Sequence, residues 1–382
     1  MKASKLLAAL TALLLVLAAC TTGGEDTTTT TAAGGTETTE GGEEPTTTAA
    51  GGEETTTTAA ETEEPAGESL LETVRARGSL LCGVNDVLPG FGVVNEDGTY
   101  SGFDVDLCRA VAAGVLGDSE AVEYVPLVAD ARFTALQSGE IDVLIRNTTW
   151  TSTRDGQEGA TFLFTTFYDG QGMMVPASTG FTTLEELADA NICVLSGTTT
   201  ELNLTAVFGA RGIAFNPQVF PDNEQLRPAY EAGQCEAWTS DASQLGAWKA
   251  TIEGEGGEEQ LIMEEIFSKE PLGPAVRDGD SAWAQAVEWS IMATVQAWEF
   301  GLDSTNVGSY AGDDPNILNF VGADGFDPGL GLDPEFAITI IESVGNYQEM
   351  YERNLGPIAL VIEGSLNDLW TNGGLMYVPP YR

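Results

Sequence analysis

The stretch Gly102-Phe103-Asp104-Val105-Asp106-Leu107-Cys108-Arg109-Ala110-Val111-Ala112-Ala113-Gly114-Val115 decides how the rest of the chain is read. Val105, Cys108, Val111, Ala112 and Val115 recur at helical spacing, which predicts a helix over Asp104–Val115. Asp104 and Asp106 stand near its start, where negative charge favours the helix dipole, and are read as capping and structural. Around this helix, short apolar runs predict strands at Leu80–Val84, Val122–Leu127 and Ile141–Ile145, with a helix at Ala131–Gln137. A second series follows: helices at Thr183–Asp189, Thr199–Ala210 and Glu224–Glu231, and strands at Asn191–Leu195, Gln218–Phe220 and Ala237–Thr239. A long helix is expected over Ser281–Phe300, with Trp283, Val287, Ile291, Val295 and Trp298 along one side. The tail Asp333–Arg382 reads as helical and then loop-like. Two βα series in one chain predict an α/β protein of two lobes. A ligand cleft is expected between them, at the carboxyl ends of the strands.

Composition narrows the function. The 382 residues include no histidine, which excludes Ser-His-Asp and Cys-His nucleophile pairs, His-ligated zinc and His-held haem. A net charge of -44 argues against nucleic-acid binding, which needs basic patches. Residues 1–19 read as a secretory leader: Lys2 and Lys5, then an apolar run from Leu6 to Ala19 that is short for a membrane span. Its end, Leu17-Ala18-Ala19-Cys20, resembles the lipobox of bacterial lipoproteins, which implies that Cys20 becomes the lipidated first mature residue. Residues 21–66 hold 18 Thr and 11 acidic residues, with no Val, Leu, Ile, aromatic or basic residue. Such a segment buries too little apolar surface to offset its ordering entropy, so residues 20–66 are expected to form a flexible tether. From Gly67 onward 48 acidic residues face 13 basic ones.

The 102–115 stretch resembles the signature of bacterial extracellular solute-binding proteins, family 3. The resemblance continues through Ala135–Val143, Asn147-Thr148-Thr149-Trp150-Thr151-Ser152-Thr153-Arg154, Ser196–Leu204 and Trp238-Thr239-Ser240-Asp241. The tail segments Val344–Tyr347 and Gly373–Pro380 are similar to the general L-amino-acid-binding branch. This resemblance implies a two-lobed periplasmic-binding-protein fold (type II, Venus-flytrap) with the hinge crossed twice. Lobe 1 is expected over 67–173 and again from 274 to 382, and lobe 2 over 174–273. It further implies a protein that holds an L-amino acid and delivers it to the permease subunits of an ABC importer, without catalysis, cofactor or metal. A lipid-anchored monomer outside the cytoplasmic membrane is expected.

The same resemblance assigns the site. Arg154 would grip the α-carboxylate, where a guanidinium supplies two parallel donors. Asp241 would pair with the α-ammonium, although it also stands where it can cap the helix that follows. The Thr149 hydroxyl and Asn147 carbonyl would complete the ammonium shell. Ser196, Thr198 and Thr199 open a helix after a strand and would offer hydroxyls and backbone N–H groups to the carboxylate. Leu88 or Phe91 and Ala129 stand where smaller relatives place aromatic residues around the ligand side chain; Phe91 is the aromatic candidate here. Arg146 and Trp150 flank the ligand loop. Cys82, Cys108, Cys193 and Cys235 allow three pairings, and one disulfide per lobe, Cys82–Cys108 and Cys193–Cys235, is expected. Two rivals share the fold: an amino-acid sensor, and a dehydratase-like enzyme, which would need a general acid beyond Asp241.

Overall fold

The 102–115 stretch folds as the helix Phe103–Leu116 in a computed structural model that describes residues 69–382. The expected leader, the lipidation of Cys20 and the tether lie outside the described residues. Small residues let this helix be buried all round: Ala110, Ala112 and Ala113 are buried, and Gly114 lies against Ser290. It packs on the first strand and on the helices Ser281–Glu299 and Phe336–Val344. At Gly102 φ is +140°, and a Cβ would lie 2.1 Å from the Phe91 carbonyl oxygen, so glycine lets the preceding hairpin close on the helix start. Neither aspartate caps this helix. Asp106 instead accepts hydrogen bonds from Arg353 and Asn354, both at 2.6 Å, tying the helix to Tyr347–Asn354 near the C-terminus.

The molecule is a two-lobed α/β structure with one five-stranded sheet per lobe. In the first sheet, Leu80–Val84 runs parallel to Val122–Pro126 and to Val143–Leu144. Ala275–Arg277 then pairs antiparallel with Val143–Leu144 and with Ala160–Phe162. The second sheet repeats the plan: Asn191–Leu195 is parallel to Asn216–Phe220 and Ala237–Asp241, and Gln171–Pro176 pairs antiparallel with Ala237–Asp241 and Gln260–Ile262. Each sheet thus takes one antiparallel strand from the chain as it enters or leaves the other lobe. The two crossings pair with each other as Phe167–Asp169 against Glu270–Leu272. The tail braces this hinge pair, because the Asn367 side chain accepts from the Tyr168 N–H at 2.6 Å and donates to its carbonyl at 3.2 Å.

Local departures from the sequence reading have local causes. The helix expected at Thr183–Asp189 is only a 3-10 turn, Leu184–Leu187, since Ala188 is extended and Asp189 has φ +66°. The run Gln171–Pro176 is a central strand, so the lobe division expected between 173 and 174 falls inside it. The strand expected at Ile141–Ile145 pairs only over Val143–Leu144.

Cys82 pairs with Cys108 and Cys193 with Cys235. The first pair ties the first strand to the central helix. In the chain-entropy picture, replacing Cys82 and Cys108 together by serine costs about 3–4 kcal/mol. Urea unfolding of the double variant should show this loss, and thiol titration of the unfolded, unreduced chain should find none of these four cysteines free. An unchanged midpoint, or four titrating thiols, would contradict the pairing.

Candidate ligand-binding site

The loops after the parallel strands of both sheets meet in one cleft. Val143–Leu144 leads into Arg146, Asn147 and Thr149; Asn191–Leu195 leads into the turn before the helix Thr199–Arg211; and Ala237–Asp241 ends in Ser240 and Asp241. Between them lies a narrow cavity, about 20 Å³ where a water-sized atom can be centred and about 340 Å³ when all space open to solvent is counted. Ala129, Arg132, Arg146, Asn147 and Thr149 line it from the first lobe, and Leu195, Thr198, Thr199, Thr200, Ser240, Asp241 and Gln244 from the second.

The Asn147 backbone stands at φ +30°, and its N–H donates to the buried Asp104 carboxylate at 2.7 Å. Asp104 therefore reaches out of the central helix to set the loop that follows Val143–Leu144. The Thr149 hydroxyl lies 3.3 Å from that of Thr199, which donates to Glu270 at 2.7 Å. Asp241 occupies the N-cap position of Ala242–Gly254, yet its side chain makes no capping bond and accepts no hydrogen bond among the described residues. Its buried carboxylate is left to the cavity.

The lobes touch across the cleft. Arg132 Nη2 and Arg154 Nη2, both from the first lobe, donate to the Gly197 carbonyl at 3.3 and 3.4 Å. The Ser196 hydroxyl donates to Asp130 at 2.5 Å. Arg154 Nη1 also holds the Thr149 carbonyl at 2.9 Å. Gly197 has φ +68°, and a Cβ there would lie 1.8 Å from Asp130 Oδ1, so this close approach requires glycine.

Burial dominates the electrostatics. It pushes the Asp104 carboxyl up to about 7, against the Asn147 N–H and the Arg146 charge. Asp169, buried beside Ser243 and near Glu270, is raised to about 6. Asp241 is held well above the usual carboxylate range by burial and by the Asp169 and Glu270 charges, which outweigh Arg132 and Arg154. Arg146 is lowered to about 10 by burial. Among the described residues no cluster of three or more cysteine or acidic side chains is placed to hold a metal ion, and no helix is long and apolar enough to cross a membrane.

Comparison with known proteins accounts for this architecture. The sequence pattern of the bacterial extracellular solute-binding proteins, family 3, matches residues 80–299, more than half of the chain. The chain belongs to that family. It is 45% identical over 322 residues to the glutamate/glutamine/aspartate/asparagine-binding protein of Rhodobacter capsulatus, covering 83% of this chain and 94% of the relative. It is 46% identical over 324 residues, with the same two coverages, to the general L-amino acid-binding periplasmic protein of Rhizobium johnstonii. Among solved structures it resembles a periplasmic binding protein of an ABC transporter from Brucella ovis with glutathione bound. That likeness has a TM-score of 0.79 and 43% identity over 83% of this chain and all of the other.

Against this family background, the cavity gathers five of the expected residues: Asn147, Thr149, Thr198, Thr199 and Asp241. Arg154 lies beside it, in an adjoining groove that shares Ala129, Thr198 and Thr199. Thr198 proves to be the N-cap of the following helix: its hydroxyl accepts from the Glu201 N–H and donates to the Leu195 carbonyl at 2.7 Å. That hydroxyl is spent inside the turn. Ser196 faces Asp130 and not the cavity. Phe91 is 1% exposed and packs edge-on against Phe103 and Phe167, because the hairpin turns it into the core; it does not line the cavity. Trp150 stacks on Phe162 at the surface. Sequence reasoning missed Arg132, Gln244, Asp169 and Glu270. The one signal that could have found the first is the scarcity of arginine in so acidic a chain.

The raised carboxyls fix a sign for the pH dependence. Between about pH 4 and 7 folded Asp104 keeps a proton that the unfolded chain, with its ordinary value of 3.8, has lost. This group therefore favours the folded state below pH 4, and that advantage is lost as pH rises to about 7. The ligand-free protein should show a falling urea midpoint between pH 5 and 7.5. Asp104→Asn, which keeps an oxygen for the Asn147 N–H, should make that fall shallower. Parallel profiles in the two proteins would remove Asp104 as the cause.

Proposed function

We propose that this protein captures L-amino acids outside the cytoplasmic membrane and delivers them to the permease subunits of an ABC importer. The carrying observation is the Asp241 carboxylate, buried in the inter-lobe cavity without a hydrogen-bond partner among the described residues and opposite the guanidinium groups of the other lobe. A zwitterion answers both signs at once, and a buried charge is tolerated only when paired. Two relatives of nearly half-identical sequence are named for binding amino acids, which supports the same reading.

In this account the α-ammonium sits on Asp241, with the Thr149 hydroxyl and the Asn147 carbonyl beside it. The α-carboxylate takes the donors of Arg154 left over from Thr149 and Gly197, together with the backbone N–H groups of Thr198 and Thr199; the Thr199 hydroxyl, expected as a further donor, is committed to Glu270. No bond is made or broken. Entry of ligand needs the lobes to part, and the pivots are the crossings Phe167–Asp169 and Glu270–Leu272, which divide lobe 1 from lobe 2. The protein acts as a monomer. Cys20 carries lipid at the outer face of the membrane, and the Thr-rich tether gives the lobes reach toward the importer.

Calorimetry against a panel of L-amino acids tests the reading. Asp241→Ala and Arg154→Ala should each weaken binding by at least about thirty-fold, the scale expected when one side of a buried charge pair is removed. Near-native affinity in both would refute the assignment, and no binding of any L-amino acid to the wild type would refute the function. Cys20→Ser should move the protein from the detergent phase to the aqueous phase in a detergent-partition assay; an unchanged distribution would remove the lipid anchor.

A further inference from the structure

Three arginines converge on the cleft, and holding an amino acid by its backbone groups needs one of them. With an L-amino acid as the ligand, Arg154 serves the α-carboxylate, and the role of Arg132 rests on that function. Arg146 donates through Nε to the Leu127 carbonyl at 2.6 Å, and the strongest attraction on its charge is Asp104. Arg132 is different. It is 3% exposed and lines the same cavity as Asp241. Among the described residues its one hydrogen bond runs from Nη2 to the Gly197 carbonyl at 3.3 Å, and its buried Nε has no partner. The charges around it are Arg154 and Arg146, which repel, and Asp241 and Asp130, which attract. Asp130 already accepts the Ser196 hydroxyl, and Asp241 is taken by the ligand's ammonium. With an amino acid bound by its backbone groups alone, the buried Arg132 cation would be left with only the exposed, already hydrogen-bonded Asp130 to offset it, a costly arrangement.

We propose that Arg132 is a second carboxylate-binding residue, which makes the cavity prefer amino acids whose side chain carries a carboxylate over their neutral amides. Geometry supports this: Arg132 and Asp241 line one cavity from opposite lobes, and the free edge of a guanidinium matches a carboxylate with two parallel donors. Burial, together with Arg154 and Arg146, pushes the Arg132 guanidinium well below the usual arginine range, which reflects the same excess of positive charge. Binding an anionic side chain would relieve it.

L-Glutamate and L-glutamine have nearly the same shape and differ in this one charge, so calorimetry with both isolates the effect. The wild type should bind glutamate at least about tenfold more tightly than glutamine. Arg132→Gln should weaken glutamate about thirty-fold and glutamine less than about threefold. Equal losses for the two ligands would show that Arg132 grips the shared α-carboxylate or only supports the fold, and would overturn the proposal. So would no loss at all. The wild-type comparison stands even where the variant does not fold, since glutamine binding as tightly as glutamate overturns the preference by itself. Binding of neither ligand, nor of any other L-amino acid, would instead refute the amino-acid function on which the proposal rests.

Discussion

Across the cleft, one carbonyl gathers two arginines of the opposite lobe. Gly197 O receives Arg132 and Arg154 from the opposite lobe, and the Ser196–Asp130 bond stands beside it. The approach depends on a glycine at positive φ with an aspartate where its side chain would be. Each such hydrogen bond contributes about 0.5–1.5 kcal/mol net, so the lobes are held by a few kcal/mol where they meet. A closure this weak can be shifted by a ligand that touches both lobes, because only differential contact moves a two-state equilibrium. The hinge pair and its Asn367 brace hold the two crossings side by side.

Burial of charge is the second constraint. Asp104, Asp169 and Asp241 are each raised by burial, and Arg132, Arg146 and Arg154 are each lowered by it. A cleft that dehydrates charges of both signs and leaves some unpaired is poorly stabilised by itself. A molecule bearing both signs in fixed relation, as proposed for the ligand, would pair them. The acidic exterior works at longer range, where it affects arrival more than fit.

The sequence showed the fold where apolar runs were continuous. Leu80–Val84 and Asn191–Leu195 were read to the residue because buried parallel strands are apolar along their length. Gln171–Pro176 escaped notice since nothing in its own composition says that a strand entering the second lobe turns back along its sheet. The cavity lining was legible where a motif carried it, as at Asn147, Thr149 and Asp241. It was illegible where distant segments combine. Arg132 opens a short helix, a position where arginine usually faces water, yet it is buried and bonds to Gly197 of the second lobe, 65 residues away in the chain. Phe91 erred the other way, as an aromatic residue expected at the ligand that the hairpin directs inward.

The central claim is that an amino acid is held between the lobes by groups from both. A crystal structure of the protein grown with an L-amino acid that it binds is the direct measurement. Ligand density is expected in the inter-lobe cavity, with the ammonium on Asp241 and the α-carboxylate on Arg154. Density outside that cavity, or an ammonium that makes no contact with Asp241, would contradict the claim.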